Sequence, residues 1–272
     1  MKRIVALLLA LSMVFVLGAC KAKEKIEAAI EQAEKTIVVG YTIYEPMNFL
    51  NDDGDLVGFD TELAEAVFGN LGYTVVFKEI KWENKYTDLD SGAINCIWNG
   101  FTANVPDQED GIARADKVDF SYNYMENLQV VVARKDAGIA TAEDLKGKIA
   151  FVESGSAGET YATGFEGVAD VKGVKVQTEC LREASASTNA FAVVDAQLAK
   201  SYAGQGNYEN LMIVENLSSD VEYYAIGFEK GSELTAQVNA ELEKLAEDGT
   251  IAELAEKYGV ATSVITDFSS QK

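Results

Sequence analysis

The sequence predicts an α/β protein of two lobes, each built on a parallel sheet. Three observations carry that prediction. Short apolar runs alternate with helical stretches from Thr36 onward, the pattern of a parallel sheet with crossover helices. The same alternation restarts at Thr141. The polar groups that interrupt it, Asn99 to Thr102, Gly155 to Glu159 and Asp195, fall where strands end, and ligands bind at the carboxyl ends of strands in such sheets.

Residues 1–19 stand apart from the fold. Lys2 and Arg3 precede an apolar run, Ile4 to Val16, that is too short for a comfortable membrane span. Leu17-Gly18-Ala19-Cys20 follows. That order is similar to a bacterial lipobox, in which Cys20 would carry a lipid and become the mature N-terminus; an ordinary signal peptide followed by a chance cysteine is the alternative. Residues 20–35, rich in Lys, Glu, Ala and Gln, suit a solvated and partly helical tether.

With 272 residues, 48% of them apolar, the chain can bury one or two cores. Removing Lys2 and Arg3 with the leader leaves 21 basic against 44 acidic residues, a formal charge of −23. That field repels nucleic acid and an anionic membrane surface, so the membrane contact expected is the lipid alone. The chain has no histidine, which removes the usual metal ligand and the usual general base. No metal and no cofactor are expected. Cys96 lies in an apolar run and reads as a small buried hydrophobe rather than half of a bridge to Cys180.

In chain order, Thr36 to Gly40 reads as a buried strand and Tyr41 to Asn48 as a loop. Asn51 to Asp55 is a turn whose spacing does not fit a calcium loop. Asp60 is placed to cap a helix with Leu63, Val67 and Leu71 on its apolar face, closed by Gly72. Tyr73 to Ile80 and Ile94 to Trp98 are strands, and Phe120 to Arg134 runs into Val130-Val131-Val132. In the second unit, Lys148 to Val152, Val174 to Thr178, Phe191 to Val194, Asn210 to Asn216 and Tyr223 to Phe228 read as strands. Amphipathic helices follow at Ser232 to Glu247 and Thr250 to Tyr258, then a loose tail.

The chemistry concentrates at the strand ends. Backbone groups of Asn99, Gly100 and Thr102 are free to bond a ligand where Ile94 to Trp98 ends, and Arg114 offers a planar fork suited to a carboxylate. These residues point to a receptor for a small zwitterion, such as an amino acid.

Six ordered blocks then resemble the polar amino acid-binding proteins of bacterial ABC importers, the family 3 extracellular solute-binding proteins. They are DGDLVGFDTELAEAV (Asp53 to Val67), CIWNGFT (Cys96 to Thr102), RADKVDFSYNY (Arg114 to Tyr124), TAEDLKGKIAFVESGSAGET (Thr141 to Thr160), AVVDAQLA (Ala192 to Ala199) and ELEKLAEDGTIAELAEKYG (Glu241 to Gly259). The resemblance implies a periplasmic-binding-protein type II fold of two Rossmann-like lobes joined by two hinge strands. Residues 36–132 with 226–260 would form lobe 1, 133–225 lobe 2 and 261–272 a flexible tail. The hinge strands are expected near Val130 to Arg134 and Tyr223 to Phe228.

By the same resemblance, Arg114 would grip a ligand carboxylate. Gly100 and Thr102 would meet the α-ammonium, which Asp195 would complete, although Asp195 also suits a helix N-cap. Ser156 and Ala157 would bring hydroxyl and backbone donors to the carboxylate at a helix start. Tyr44, Trp82 and Trp98 are candidates for an aromatic wall, with Phe101 behind, or for ordinary core. The segment 104–112 looks inserted before Arg114, and Leu181 to Ala190 is shorter than the family's usual helix. The function implied is non-catalytic capture by a monomer outside the cytoplasm and delivery to an ABC permease. A dehydratase-like enzyme with Glu153 or Glu159 as general acid, or a ligand-sensing domain, is the alternative on the same fold.

Overall fold

The computed structural model describes residues 35–272. The leader, Cys20 and all of the tether but its last residue lie outside them. Lobe 1 opens with β1 (Thr36–Tyr41), the hairpin β2 (Phe49–Leu50) and β3 (Leu56–Val57), helix α1 (Phe59–Asn70) and β4 (Thr74–Glu79). A 3-10 turn at Trp82–Asn84 leads into α2 (Lys85–Asp90), β5 (Cys96–Ile97), α3 (Arg114–Lys117) and β6 (Asp119–Phe120). The chain leaves through β7 (Met125–Asn127) and returns through β13 (Glu222–Tyr224) to β14 (Gly227–Phe228), α7 (Leu234–Glu247) and α8 (Thr250–Lys257). Lobe 2 lies between, with β8 (Gln129–Arg134), β9 (Ile149–Glu153), α4 (Ala157–Thr163), β10 (Asp170–Val174), α5 (Gln177–Ala186), β11 (Ala190–Asp195), α6 (Ala196–Tyr202) and β12 (Leu211–Ser218).

The two sheets run β4-β1-β5-β14-β6 and β10-β9-β11-β8-β12. Only their halves are parallel: β14 is antiparallel to β5 and β6, and β8 is antiparallel to β11 and β12. The expectation of wholly parallel sheets is corrected at those strands, which enter their sheets from the crossing between lobes rather than from a crossover helix. The crossing is a two-stranded ribbon, β7 against β13, with Glu222 opposite Asn127 and Tyr224 opposite Met125.

That ribbon shares Tyr223 and Tyr224 with one expected hinge strand, Tyr223 to Phe228, but does not include the other. Val130 to Arg134 lies inside β8, a central strand of lobe 2 with Val131 and Val132 fully buried. A continuous apolar run is the mark of a strand covered on both faces, so a lobe boundary at residue 132 cuts through a strand. The expected strand at Val174 to Thr178 is likewise divided: the strand ends at Val174, and α5 begins at Gln177. Asp60 does not cap α1. Gly58 stands at the N-cap, where φ is +132° and an added Cβ would sit 2.1 Å from the Met47 carbonyl oxygen. The Asp60 side chain turns inward instead.

The C-terminal residues are not a loose tail. Phe268 is buried and stacks on Tyr122 with ring centroids 5.5 Å apart. The Ile265 amide donates to the Tyr124 carbonyl (2.8 Å), and the Glu126 amide to the Ser263 carbonyl (2.7 Å). The chain end thereby runs alongside β7. Cys96 and Cys180 are both buried and free.

Candidate functional site

The site is assembled where β5, β9 and β11 end. From β5 the chain passes through Trp98 into a tight turn. Gly100 takes φ +59°, and a Cβ there would lie 2.7 Å from the Tyr44 ring and 3.0 Å from that of Tyr224. Only glycine fits so strained and crowded a position. Its amide donates to Asp60 Oδ2 (2.8 Å), as does the Tyr124 hydroxyl (3.0 Å). Burial outweighs those bonds and pushes the Asp60 carboxyl up to about 7.

Two aromatic candidates are thereby removed from the wall. Tyr44 lies beneath the turn, its hydroxyl 2.7 Å from that of Tyr224. Trp98 is fully buried against Phe68 and Tyr124. Both are core. The Asn99 side chain is occupied as well, accepting from the Thr42 amide and hydroxyl and donating to the Thr42 carbonyl and Asn48 Oδ1.

Arg114 opens α3 and is 1% exposed. Its Nε donates to Asp107 Oδ1 (3.0 Å), its Nη1 donates to the Thr102 carbonyl (3.0 Å), and the guanidinium lies 5.4 Å over the Phe101 ring. Its Nη2 has no hydrogen-bond partner. Asp107 belongs to the 104–112 segment, which folds back through a Pro106–Ala113 bridge. The 104–112 segment therefore supplies a countercharge to the arginine. Burial works to raise Asp107, but Lys117 and Arg114 prevail and hold it below the usual carboxylate range.

Lobe 2 faces this group. Ser156 caps α4 by accepting the Glu159 amide (3.1 Å), and the Glu159 carboxylate accepts the Gly155 amide (2.7 Å). Asp195 stands at the N-cap position of α6 yet makes no capping bond. Its Oδ1 accepts from Asn127 Nδ2 and Gln129 Nε2, each at 2.6 Å, and its Oδ2 from Gln177 Nε2. All three donors are neutral amides. Burial raises the Asp195 carboxyl above its ordinary range against their opposing pull.

Trp82, Asn99, Gly100, Thr102 and Arg114 from lobe 1 and Glu153, Ser156, Ala157, Gln177 and Asp195 from lobe 2 wall one cavity. Sequence reasoning named all of these as ligand-binding residues except Gln177 and Glu153, the latter weighed only as a general acid in the enzyme alternative. Gln177 was hidden because Val174, Val176 and Thr178 alternate like a strand; Glu153 closes β9 and looks from sequence like a solvated acid. The lobes are closed over the cavity, which is about 10 Å³, the scale of one water. Lys85 spans them: its ammonium donates to the Gly155 carbonyl (2.9 Å) while lying 4.7 Å over the Tyr86 ring. Burial, then the neighbouring Arg114, lowers Lys85 to about 7. The 104–112 segment also reaches across, Thr163 donating its hydroxyl to Gln108 Oε1 (3.0 Å). Among the described residues no cluster of carboxylates and thiols is placed to hold a metal, and no helix is long and apolar enough to cross a membrane.

The sequence profile of the bacterial extracellular solute-binding proteins, family 3, matches residues 37–261. The chain belongs to that family. The arginine-binding extracellular protein ArtP of Bacillus subtilis is 27% identical, over 95% of this chain and 98% of its own length. The L-cystine-binding protein TcyA of Bacillus subtilis is 30% identical, over 79% of this chain and 77% of its own. Among solved structures, a Streptococcus pneumoniae ABC uptake transporter substrate-binding protein with bound histidine superposes with a TM-score of 0.72 at 29% identity, covering 85% of this chain and 95% of its own. An ancestral arginine-binding protein bound to arginine superposes at 0.73 with 33% identity, over 82% and 98%. The fold is that of these family members, the periplasmic-binding-protein type II arrangement.

Proposed function

We propose that the chain captures a free amino acid between its two lobes, outside the cytoplasm, and delivers it to the permease of an ABC importer. One observation carries this reading: Arg114 of lobe 1 and Asp195 of lobe 2, of opposite charge, wall the same buried cavity. The Arg114 fork keeps an unpartnered Nη2 for a ligand carboxylate. Asp195 is bonded by amides that carry no charge, so its own charge remains for an α-ammonium. Gly100 and Thr102 line the ammonium end, and Ser156 and Ala157 face the ligand from the start of α4. Trp82 supplies the aromatic flank. The closed cavity is too small for an amino acid, so the ligand enters when the lobes part about the β7–β13 ribbon and is sealed when they close.

Relatives named for arginine, cystine and histidine binding support an amino acid as the class of ligand. The lipobox-like Leu17 to Cys20 supports tethering of the monomer to the membrane through a lipid on Cys20. A catalytic reading finds its one support in Glu153, whose carboxyl burial pushes up to about 8, a value suited to a general acid. Capture is preferred because the charged ends of a zwitterion are both met.

Thermal-shift screening of the purified chain against the common amino acids tests this. A ligand that binds the folded state alone raises the melting temperature, and its concentration should then stay constant on long incubation. No shift with any amino acid refutes capture, and conversion of the ligand would establish an enzyme.

A further inference from the structure

We propose that the cavity selects an amino acid with a cationic side chain, and that Glu153 is the carboxylate that receives the cation. The proposal rests on the amino acid reading above and names its substrate class. Three charged side chains wall the cavity: Arg114, Asp195 and Glu153. The carboxylate and ammonium of a bound amino acid answer the first two. Glu153 is left over.

It has no other counterion. Glu153 ends β9, beside the β11 strand that ends in Asp195, and is 3% exposed. Its Oε1 is buried with no hydrogen-bond partner. Gln177 and Thr42, the polar side chains within its reach, are neutral, and Asp195 repels it. Lys85 is the cation that favours its ionised form most, but that ammonium is committed to the Gly155 carbonyl and the Tyr86 ring and makes no ion pair with Glu153. Arg114 is engaged by Asp107 and the Thr102 carbonyl.

The wall therefore holds one more acidic side chain than a neutral zwitterion can meet. A buried carboxylate without a partner either stays at a high cost or holds a proton. Burial, then Asp195, pushes Glu153 up to about 8, so it is largely protonated in the ligand-free protein at neutral pH. An ammonium or guanidinium at the far end of the ligand would ionise it and satisfy the orphan oxygen. Trp82, on the same wall, gives the alkyl stem an apolar flank.

Isothermal titration of the full chain, purified in detergent, with arginine, lysine and glutamine tests the assignment. Wild type should bind arginine or lysine at least about tenfold more tightly than glutamine. Glu153→Gln should weaken that cation by about 30-fold or more and leave glutamine within about threefold; retained glutamine binding shows that the variant is folded. Titration in buffers of different ionisation enthalpy should show a proton released on cation binding by wild type and none by the variant. Tighter binding of glutamine than of arginine and lysine by wild type, or unchanged cation affinity in Glu153→Gln, overturns the proposal. Binding of none of the three, with no other amino acid shifting the melting temperature, overturns the amino acid reading and this proposal together.

Discussion

Truncating Arg114 to alanine should abolish most ligand binding. The residue is 1% exposed and makes two internal bonds, through Nε to Asp107 and Nη1 to Thr102. The truncation does not strand Asp107, because Lys117 holds its other oxygen at 2.7 Å, so the loop should keep its closed shape. What is lost is the charge that faces the ligand. A carboxylate enclosed by two lobes has given up its water, and removing its partner costs about 2–5 kcal/mol, or roughly 30- to 5,000-fold in dissociation constant. Arg114→Lys should recover part of that, since an ammonium keeps the charge but cannot reach Asp107, Thr102 and the ligand as a fork does. Titration calorimetry of both variants with the ligand found by screening is the assay. An Arg114→Ala protein that binds within about twofold of wild type would refute the carboxylate assignment.

Three other outcomes are expected. Trp82→Ala should weaken binding and also lower the melting temperature of the ligand-free protein, because Trp82 is buried and packs edge-on against Phe101; an unchanged dissociation constant would leave Trp82 a purely structural residue beside Trp98. Cys20→Ala should release the protein from membranes without altering ligand affinity; detergent-phase partitioning equal to wild type would sink the lipid anchor. Stability of the ligand-free protein should fall as pH rises from about 5 to 7, below the range where Lys85, lowered to about 7, works the other way, because Asp60 and Glu222 are pushed up to about 7 and Glu153 to about 8 in the folded state, each chiefly by burial. The native state then holds more protons than the unfolded chain in that window, so raising the pH destabilises it, by roughly a few kcal/mol in total. Denaturant melts at several pH values measure this, and constant or rising stability across the window would show that these carboxylates do not carry it.

What the sequence made legible was whatever local pattern decides. Strand and helix alternation gave the two lobes, and Arg114, Asp195 and the Gly100 turn were visible because polar residues at strand ends have few structural reasons to be there. Facing was not legible. Tyr44 and Trp82 were the favoured candidates and Trp98, on a core strand, the weaker one, and the choice between Tyr44 and Trp82 depends on how the Gly100 turn folds over the Tyr44 and Tyr224 rings. Asp60 looked like a cap because it begins a helix, but the amide it serves is Gly100, distant in sequence. Gln177 was missed, and Glu153 was weighed only as a general acid, because burial of a carboxylate or an amide is a tertiary property. The Val130-Val131-Val132 run was read as a link between lobes, since two-sided burial leaves no alternation to count.

The chain end that lies along β7 gives the molecule a third strut at its crossing. Val264 pairs with Met125, Ile265 bonds Tyr124, and Gln271 donates to the Asn123 carbonyl while accepting the Asn123 amide. A jaw that turns about β7 and β13 must flex this clasp or carry it along. On the proposed reading its grip would set how cheaply the jaws part, and the smaller the fraction of molecules open to ligand, the weaker the affinity an experimenter measures. A purification tag or reporter fused after Lys272 is thus attached to the bearing of the machine, and shortening the chain there would retune binding from the side of the protein that no ligand touches.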